Sequence, residues 1–135
     1  MNEIVFLKIE LIEKCINRIK EKMNESGYNI ENNDIQDIIV LNLQRASQQC
    51  IDLAMFINAE LGLGVPKNSS ESFFKLMEKG IISKESYENM KGMVGFRNIA
   101  VHQYQKIDYG IVEYVINNRL EDFYKINKEI IQNYI

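Results

Sequence analysis

Apolar residues recur every three or four positions along most of this chain, which is the spacing of a helix face that packs against a core. The pattern predicts a first helix from about Ile4 to Met23. It then predicts a second helix of roughly 27 residues, with Asn33 as N-cap and Gln36 completing a capping box. The two apolar stripes consist of Val5, Ile9, Ile12, Ile16, Ile19 and Met23, and of Ile39, Leu43, Ala46, Cys50, Leu53, Ile57 and Leu61.

Two further helices are expected in the middle of the chain. Ser69 or Ser70 would cap a short helix that ends at Gly80, because serine favours N-caps and glycine favours the residue after a helix. Ser83 is the expected N-cap of the next helix, whose pattern we follow as far as Tyr104.

A last helix is predicted from Tyr109 to about Asn133, since its apolar positions keep the same spacing to the end. No internal repeat and no low-complexity tract interrupts the sequence. The chain therefore predicts an all-α fold: an antiparallel helical bundle of four long helices plus one short helix, in a single domain spanning residues 1–135.

Composition agrees with a helical protein that does not span a membrane. Of 135 residues, 46% are hydrophobic, 26% are charged and only one is proline. No stretch approaches the 18 or more apolar residues of a membrane span, and the amino terminus does not resemble a signal peptide, so we expect a cytoplasmic protein. The net charge of −3 excludes a broadly basic surface, so any contact with nucleic acid must be local.

The chemistry-bearing residues gather in one segment, from Gly95 to Tyr104, which holds the single histidine of the chain. On a helix of about 100° per residue, Arg97 lies in the middle of an apolar arc and Asn98 falls between it and His102. A buried unpaired charge is costly, so this arginine must be paired, reach past its neighbours, or face another subunit. The plain interpretation is a histidine that caps or packs and an arginine whose aliphatic part alone is buried.

The outer face of the second helix is rich in amides and poor in the Lys/Glu pairs that usually cover a solvated helix. Most such faces simply contact solvent. The functional alternative is that some of these residues border a site or a subunit interface, with Arg45 and Asp52 the best candidates. The face comprises Asn42, Gln44, Arg45, Gln48, Gln49 and Asp52.

Several reaction classes lack their residues. One histidine without a Glu-x-x-His motif does not provide a metal site, and no phosphate-binding loop or nucleophile motif is present, so we expect no metal and no cofactor. Metal-free RNA cleavage remains feasible, because His102 can transfer protons near neutral pH and Arg97 can stabilise phosphate charge. One imidazole cannot be acid and base at once, so a two-fold dimer, with the apolar stripe around Arg97 as its seam, would supply the second.

The segment from Phe96 to Tyr104 resembles the Arg-x4-His-x-Tyr signature of HEPN-domain proteins of the HepT type, toxins of two-gene, type VII toxin–antitoxin modules. Further stretches resemble HepT sequences in the same order: Gln44-Arg45-Ala46 with Asp52, Leu63-Gly64-Val65-Pro66, Gly80-Ile81-Ile82, Met93-Val94-Gly95-Phe96 and Ile107-Asp108.

The resemblance implies a homodimeric, metal-independent endoribonuclease with Arg97 and His102 as catalytic residues and Asn98 in support. It also implies an antitoxin partner, a minimal nucleotidyltransferase that inactivates the toxin by adding AMP from ATP to Tyr104. Two alternatives stay open: a non-catalytic module that binds a nucleotide or the transferase, and a purely structural bundle.

Overall fold

The computed structural model describes residues 2–135 and is built from helices. The all-α fold class is confirmed, and the helices are α1 (Asn2–Met23), α2 (Asn33–Glu60), α3 (Ser69–Glu78), α4 (Lys84–His102), α5 (Tyr109–Asn118) and α6 (Glu121–Tyr134), with a 3₁₀ turn at Tyr104–Lys106. Within residues 2–135, no helix is both long enough and apolar enough to cross a membrane.

Helices α1 and α2 form the most extensive helix–helix packing in the bundle. Their predicted stripes are buried almost throughout, because the three-and-four spacing puts each apolar residue on one face. Helices α3 and α4 pack against the rest of α2, and α6 packs against α1 and α4. This arrangement places the carboxyl end of α4 beside the long helix α2.

Two predicted N-caps were wrong by one residue or two. Helix α2 is capped by Asn32 rather than Asn33, and α3 by Asn68 rather than by either serine that follows it. An asparagine in extended backbone can accept the free N–H groups of the first helical turn through its side-chain oxygen. At the start of each of these two helices, several consecutive residues are of a type that can act as N-cap. The predicted cap Ser83 is confirmed, with its hydroxyl accepting from the Ser86 N–H.

The last predicted helix is two helices, α5 and α6, separated at Arg119 and Leu120. Arg119 leaves the helical region, with φ −124° and ψ 1°. Beyond it the Asp122 N–H bonds to the carbonyl three residues back rather than four. The Asn118 side chain donates to the Tyr114 carbonyl, which is the kind of local competition by which asparagine ends helices.

Helix α4 ends at His102, two residues before the predicted end at Tyr104. Gln103 departs from helical geometry, with φ −140° and ψ 47°, and Tyr104 begins the 3₁₀ turn. The prediction that this helix continues to Tyr104 was therefore wrong. The turn instead redirects this side chain towards the amino-terminal half of α2.

Candidate active site

The guanidinium of Arg97 is held by a short chain of side chains from α2. Its Nε donates to Gln48 Oε1 at 2.7 Å, and Gln48 Nε2 donates to Asp52 Oδ1 at 2.8 Å. Since the Asp52 carboxylate can only accept, it fixes which end of the Gln48 amide faces the arginine. The half-buried Arg97 is thus paired with a neutral acceptor, which does not neutralise its charge.

Asn98 supports the same guanidinium from its own helix. Arg97 Nη1 donates to Asn98 Oδ1 at 3.0 Å, and the Asn98 side chain is exposed. An arginine has five N–H donors, of which these contacts use two. The other donors are available for a phosphate, which guanidinium groups bind through paired hydrogen bonds.

His102 lies at the exposed end of α4, five residues after Arg97. Within residues 2–135, its imidazole forms no hydrogen bond or ion pair with another side chain. The interpretation of this histidine as a packed core residue is therefore wrong. Because the side chain is exposed, the imidazole is accessible to a substrate, as a group that exchanges protons with RNA requires.

Tyr104 contacts α2 about three turns before Gln48. Its hydroxyl donates to Asp37 Oδ1 at 2.5 Å, although the two residues are 67 positions apart in sequence. The hydrogen bond to this carboxylate raises the pKa of Tyr104 well above its usual value, and partial burial and the neighbouring Tyr109 act in the same direction. The contact with Asp37 therefore favours the protonated hydroxyl over the phenolate.

We call the residues of these contacts the polar strip: Asp37, Gln48 and Asp52 on α2, with Arg97 and Tyr104 beside them. Tyr104 follows Arg97 in the chain, whereas its partner Asp37 precedes Gln48 on α2. The two segments therefore run antiparallel here. Eleven residues of helix separate Asp37 from Gln48, which corresponds to about 16 Å. His102 lies between the two contacts in sequence.

Most of the apolar stripe expected to form a dimer seam is buried inside the single chain. The side chains of Met90, Met93, Val94 and Ala100 belong to the core of the bundle. The apolar residues that remain exposed near the motif are Ile99, Val101 and, on α2, Leu41, each 41% exposed. The predicted seam was therefore wrong for four of its five residues. Val101, the fifth, stays exposed, and together with Ile99 and Leu41 it is available to a second copy.

The two candidates from the amide-rich face occupy different places. Asp52 belongs to the polar strip through Gln48. Arg45 is exposed and instead lines an open groove of about 910 Å³ between α1 and α2, together with Leu11, Lys14 and Gln49. The structure shows no hydrogen bond within residues 2–135 between Arg45 and the Arg97 network.

Two residues of the polar strip were missed by the sequence reasoning as individual candidates. Gln48 was predicted only as one member of the amide-rich face, and Asp37 was not among the candidates. The spacing of Asp37, Gln48 and Asp52, eleven and four residues apart, places all three on one face of a helix, and that pattern was available. No three His, Cys, Asp or Glu side chains within residues 2–135 are grouped so as to hold a metal ion.

Comparison with known proteins identifies the family. Residues 12–130 match the family described as Ribonuclease HepT-like. The mRNA nuclease HepT of Shewanella oneidensis is 42% identical over 123 residues, covering 91% of this chain and 92% of that protein.

Solved structures agree with the sequence matches. The tri-AMPylated Shewanella oneidensis HEPN toxin in complex with MNT antitoxin superposes with a TM-score of 0.90 at 39% identity, over 98% of this chain and 99% of that one. A toxin–antitoxin crystal structure with AMP-PNP gives a TM-score of 0.90 at 38% identity, over 96% of this chain and 98% of that one. The resemblance in the sequence is confirmed: this chain belongs to the HepT-like ribonuclease family.

Proposed function

We propose that this chain is the toxin of a type VII toxin–antitoxin module, a metal-independent endoribonuclease whose catalytic residues are Arg97 and His102. The observation that carries the proposal is the guanidinium of Arg97, fixed by Gln48 and Asn98 at the end of α4 that also presents the free imidazole of His102. The similarity to an mRNA nuclease supports RNA as the substrate class.

In the proposed reaction, the ribose 2′-hydroxyl attacks the adjacent phosphorus, and the bond to the 5′-oxygen of the next nucleotide breaks. The products are a cyclic phosphate end and a free 5′-hydroxyl. His102 transfers the protons, a role that typically accelerates a reaction by roughly 10²- to 10⁴-fold. Arg97 stabilises the extra negative charge that develops on the phosphate oxygens.

The site is proposed to be completed in a homodimer, because removal of one proton and delivery of another need two groups in different protonation states. A two-fold axis would bring a second His102 to the same groove. The exposed apolar residues Leu41, Ile99 and Val101 beside the motif would be covered in such a dimer. Burying them adds roughly 25 cal/mol for each Å² of apolar surface removed from water.

We further propose that a minimal nucleotidyltransferase antitoxin inactivates the chain by adding AMP to the hydroxyl of Tyr104. The similar toxin of Shewanella oneidensis is tri-AMPylated and in complex with MNT antitoxin, which supports this partner. Tyr104 is 43% exposed and follows His102 by two residues. A phosphate attached there would repel RNA from Arg97 and compete for its charge.

Incubation of the purified protein with RNA in EDTA tests the nuclease proposal. We expect cleavage that leaves cyclic phosphate ends, and its loss in His102→Ala and in Arg97→Ala. Gln103→Ala is the matched control, since Gln103 is the exposed neighbour of His102 and its side chain forms no hydrogen bond in the described chain.

Full cleavage by His102→Ala would refute the catalytic assignment. A tight complex with the transferase, without RNA cleavage by the free protein, would support the alternative of a non-catalytic binding module. Intact mass after co-expression with the neighbouring gene tests the modification, which should be absent in Tyr104→Phe.

A further inference from the structure

The hydroxyl that receives AMP in the proposed function already has a carboxylate in contact with it. Tyr104 Oη donates its proton to Asp37 Oδ1 at 2.5 Å, from a turn that is otherwise exposed. Asp37 lies on the second turn of α2, and its carboxylate takes no part in the Arg97 contacts. The nuclease chemistry therefore gives this pairing no role.

Resting on that proposed function, we propose that Asp37 is a catalytic residue for the modification: the toxin itself supplies the base that accepts the Tyr104 proton during transfer of AMP. The antitoxin would then supply the nucleotide and its metal ions, and the toxin both the nucleophile and the base. Protein kinases use an aspartate in the same way to accept the proton of a substrate hydroxyl.

The step balances without a further reactant. Tyr104 Oη forms a bond to the α-phosphorus of ATP, the bond from that phosphorus to the pyrophosphate oxygen breaks, and pyrophosphate leaves. The hydroxyl proton passes to Asp37 Oδ1 and from there to solvent. The product is an AMP–tyrosine diester, and the carboxylate is regenerated.

The environment of the hydroxyl explains why a base is needed. A tyrosine hydroxyl is protonated at neutral pH, so a preformed nucleophilic anion is not available, and the neighbours of Tyr104 raise its pKa and disfavour the phenolate further. The groups that face the hydroxyl are Asp37 from α2 and Tyr109 from α5. Of these, only the aspartate is a carboxylate, which accepts a stronger, charge-assisted hydrogen bond. Because the ring is 43% exposed, the α-phosphate can approach from the solvent side.

The test is the rate of the first AMP addition, measured by intact mass with the purified nucleotidyltransferase of the neighbouring gene, ATP and Mg²⁺. Asp37→Asn keeps an oxygen that can accept the same hydrogen bond but is a far weaker base, so we expect a rate roughly 10²- to 10⁴-fold lower at saturating transferase. Asp37→Ala, which loses the contact altogether, should be at least as slow. Asp34→Asn is the matched control, because it removes the same charge one turn away on the same helix.

The pH profile separates a base from a mere contact. The rate for Asp37→Asn should rise with pH between about 7 and 9, because solvent hydroxide must then remove the proton, whereas the unsubstituted protein should change much less. Where more than one AMP is added, later additions use another hydroxyl and should proceed normally once the first has occurred. Circular dichroism checks that each variant is folded.

The outcomes distinguish this inference from the function on which it rests. Normal modification of Asp37→Asn would overturn the role of Asp37 and leave Tyr104 as the acceptor. The role of Asp37 would also be overturned by a loss of AMP-addition rate that is independent of pH and disappears at high transferase concentration. A loss of rate in Asp37→Ala but not in Asp37→Asn would overturn it as well. Addition of AMP to Tyr104→Phe, or none to the unsubstituted protein, would instead refute the proposed modification itself and the role of Asp37 with it.

Discussion

Replacement of Gln48 by leucine should disable the nuclease without unfolding the bundle. Gln48 is half-buried on α2 and does not touch the substrate in the proposed reaction; it holds the Nε of Arg97 at 2.7 Å and is held in turn by Asp52 at 2.8 Å. Leucine has a similar size and suits a helix, so the change removes the two hydrogen bonds and little else.

The magnitude follows from the hydrogen bond that is lost. A hydrogen bond to a charged group contributes about 1.5–3 kcal/mol, and partial exposure favours the lower end. Each 1.36 kcal/mol corresponds to a tenfold change in rate, so cleavage should slow by roughly tenfold to a hundredfold. A displacement of about 1 Å of a positioned group can account for the larger value.

Single-turnover cleavage of a labelled RNA measures the effect, with a fall in the rate constant expected at saturating enzyme. Gln44→Leu is the matched control, one turn earlier on α2 and without a hydrogen bond in the described chain. Gln48→Glu should weaken RNA binding more than Gln48→Leu, because the introduced carboxylate neutralises Arg97. Unchanged cleavage by Gln48→Leu, or an equal loss in Gln44→Leu, would refute the positioning argument.

Three further predictions concern titration, stability and assembly. Because the Asp37 carboxylate raises the pKa of Tyr104, ultraviolet titration should show this phenol ionising at higher pH than ordinary tyrosines, and Asp37→Ala should lower its pKa. The stability gained from the contact is complete below about pH 10 and is lost as the pH rises through the elevated pKa. Asn58→Ala should lower the free energy of unfolding by about 1–3 kcal/mol in denaturant titrations, because the fully buried amide links α2 to α3 through two backbone carbonyls. Val101→Glu should shift sedimentation towards a monomer and abolish cleavage, whereas Ile131→Glu, at a similarly exposed position on α6, should change neither.

The bundle was predictable because burial follows directly from spacing. Apart from Met23 and Leu61 at their ends, the stripes of α1 and α2 are core residues in the structure, and Ser83 caps α4 as its sequence indicates. The break at Arg119 was not predictable in this way, since Ile116, Leu120 and Phe123 keep the helical spacing across it and all are buried. A periodic pattern reports which face is buried but not whether the backbone is continuous.

The candidate site was predictable as a set of residues, but its contacts were not. The wheel placed Arg97 on the apolar side of α4, and a requirement for a partner followed correctly from the cost of burying a charge. The identity of that partner, Gln48, depends on the packing of α4 against α2, which one sequence does not specify. The error over Tyr104 arose from one residue, because Gln103 leaves the helical region and redirects everything after it.

The proposed cleavage residue Arg97 and the proposed modification site Tyr104 lie at opposite ends of the polar strip, and they share no contact. Arg97 is held by Gln48 and Asn98, and neither contact involves Tyr104. Attachment of AMP to the Tyr104 hydroxyl removes the proton that it donates to Asp37. Asp37 lies about 16 Å along α2 from Gln48, so the loss of this hydrogen bond leaves the guanidinium of Arg97 in its position. We therefore expect AMP to inhibit by placing negative charge in the path of RNA, with the catalytic residues still assembled beneath it.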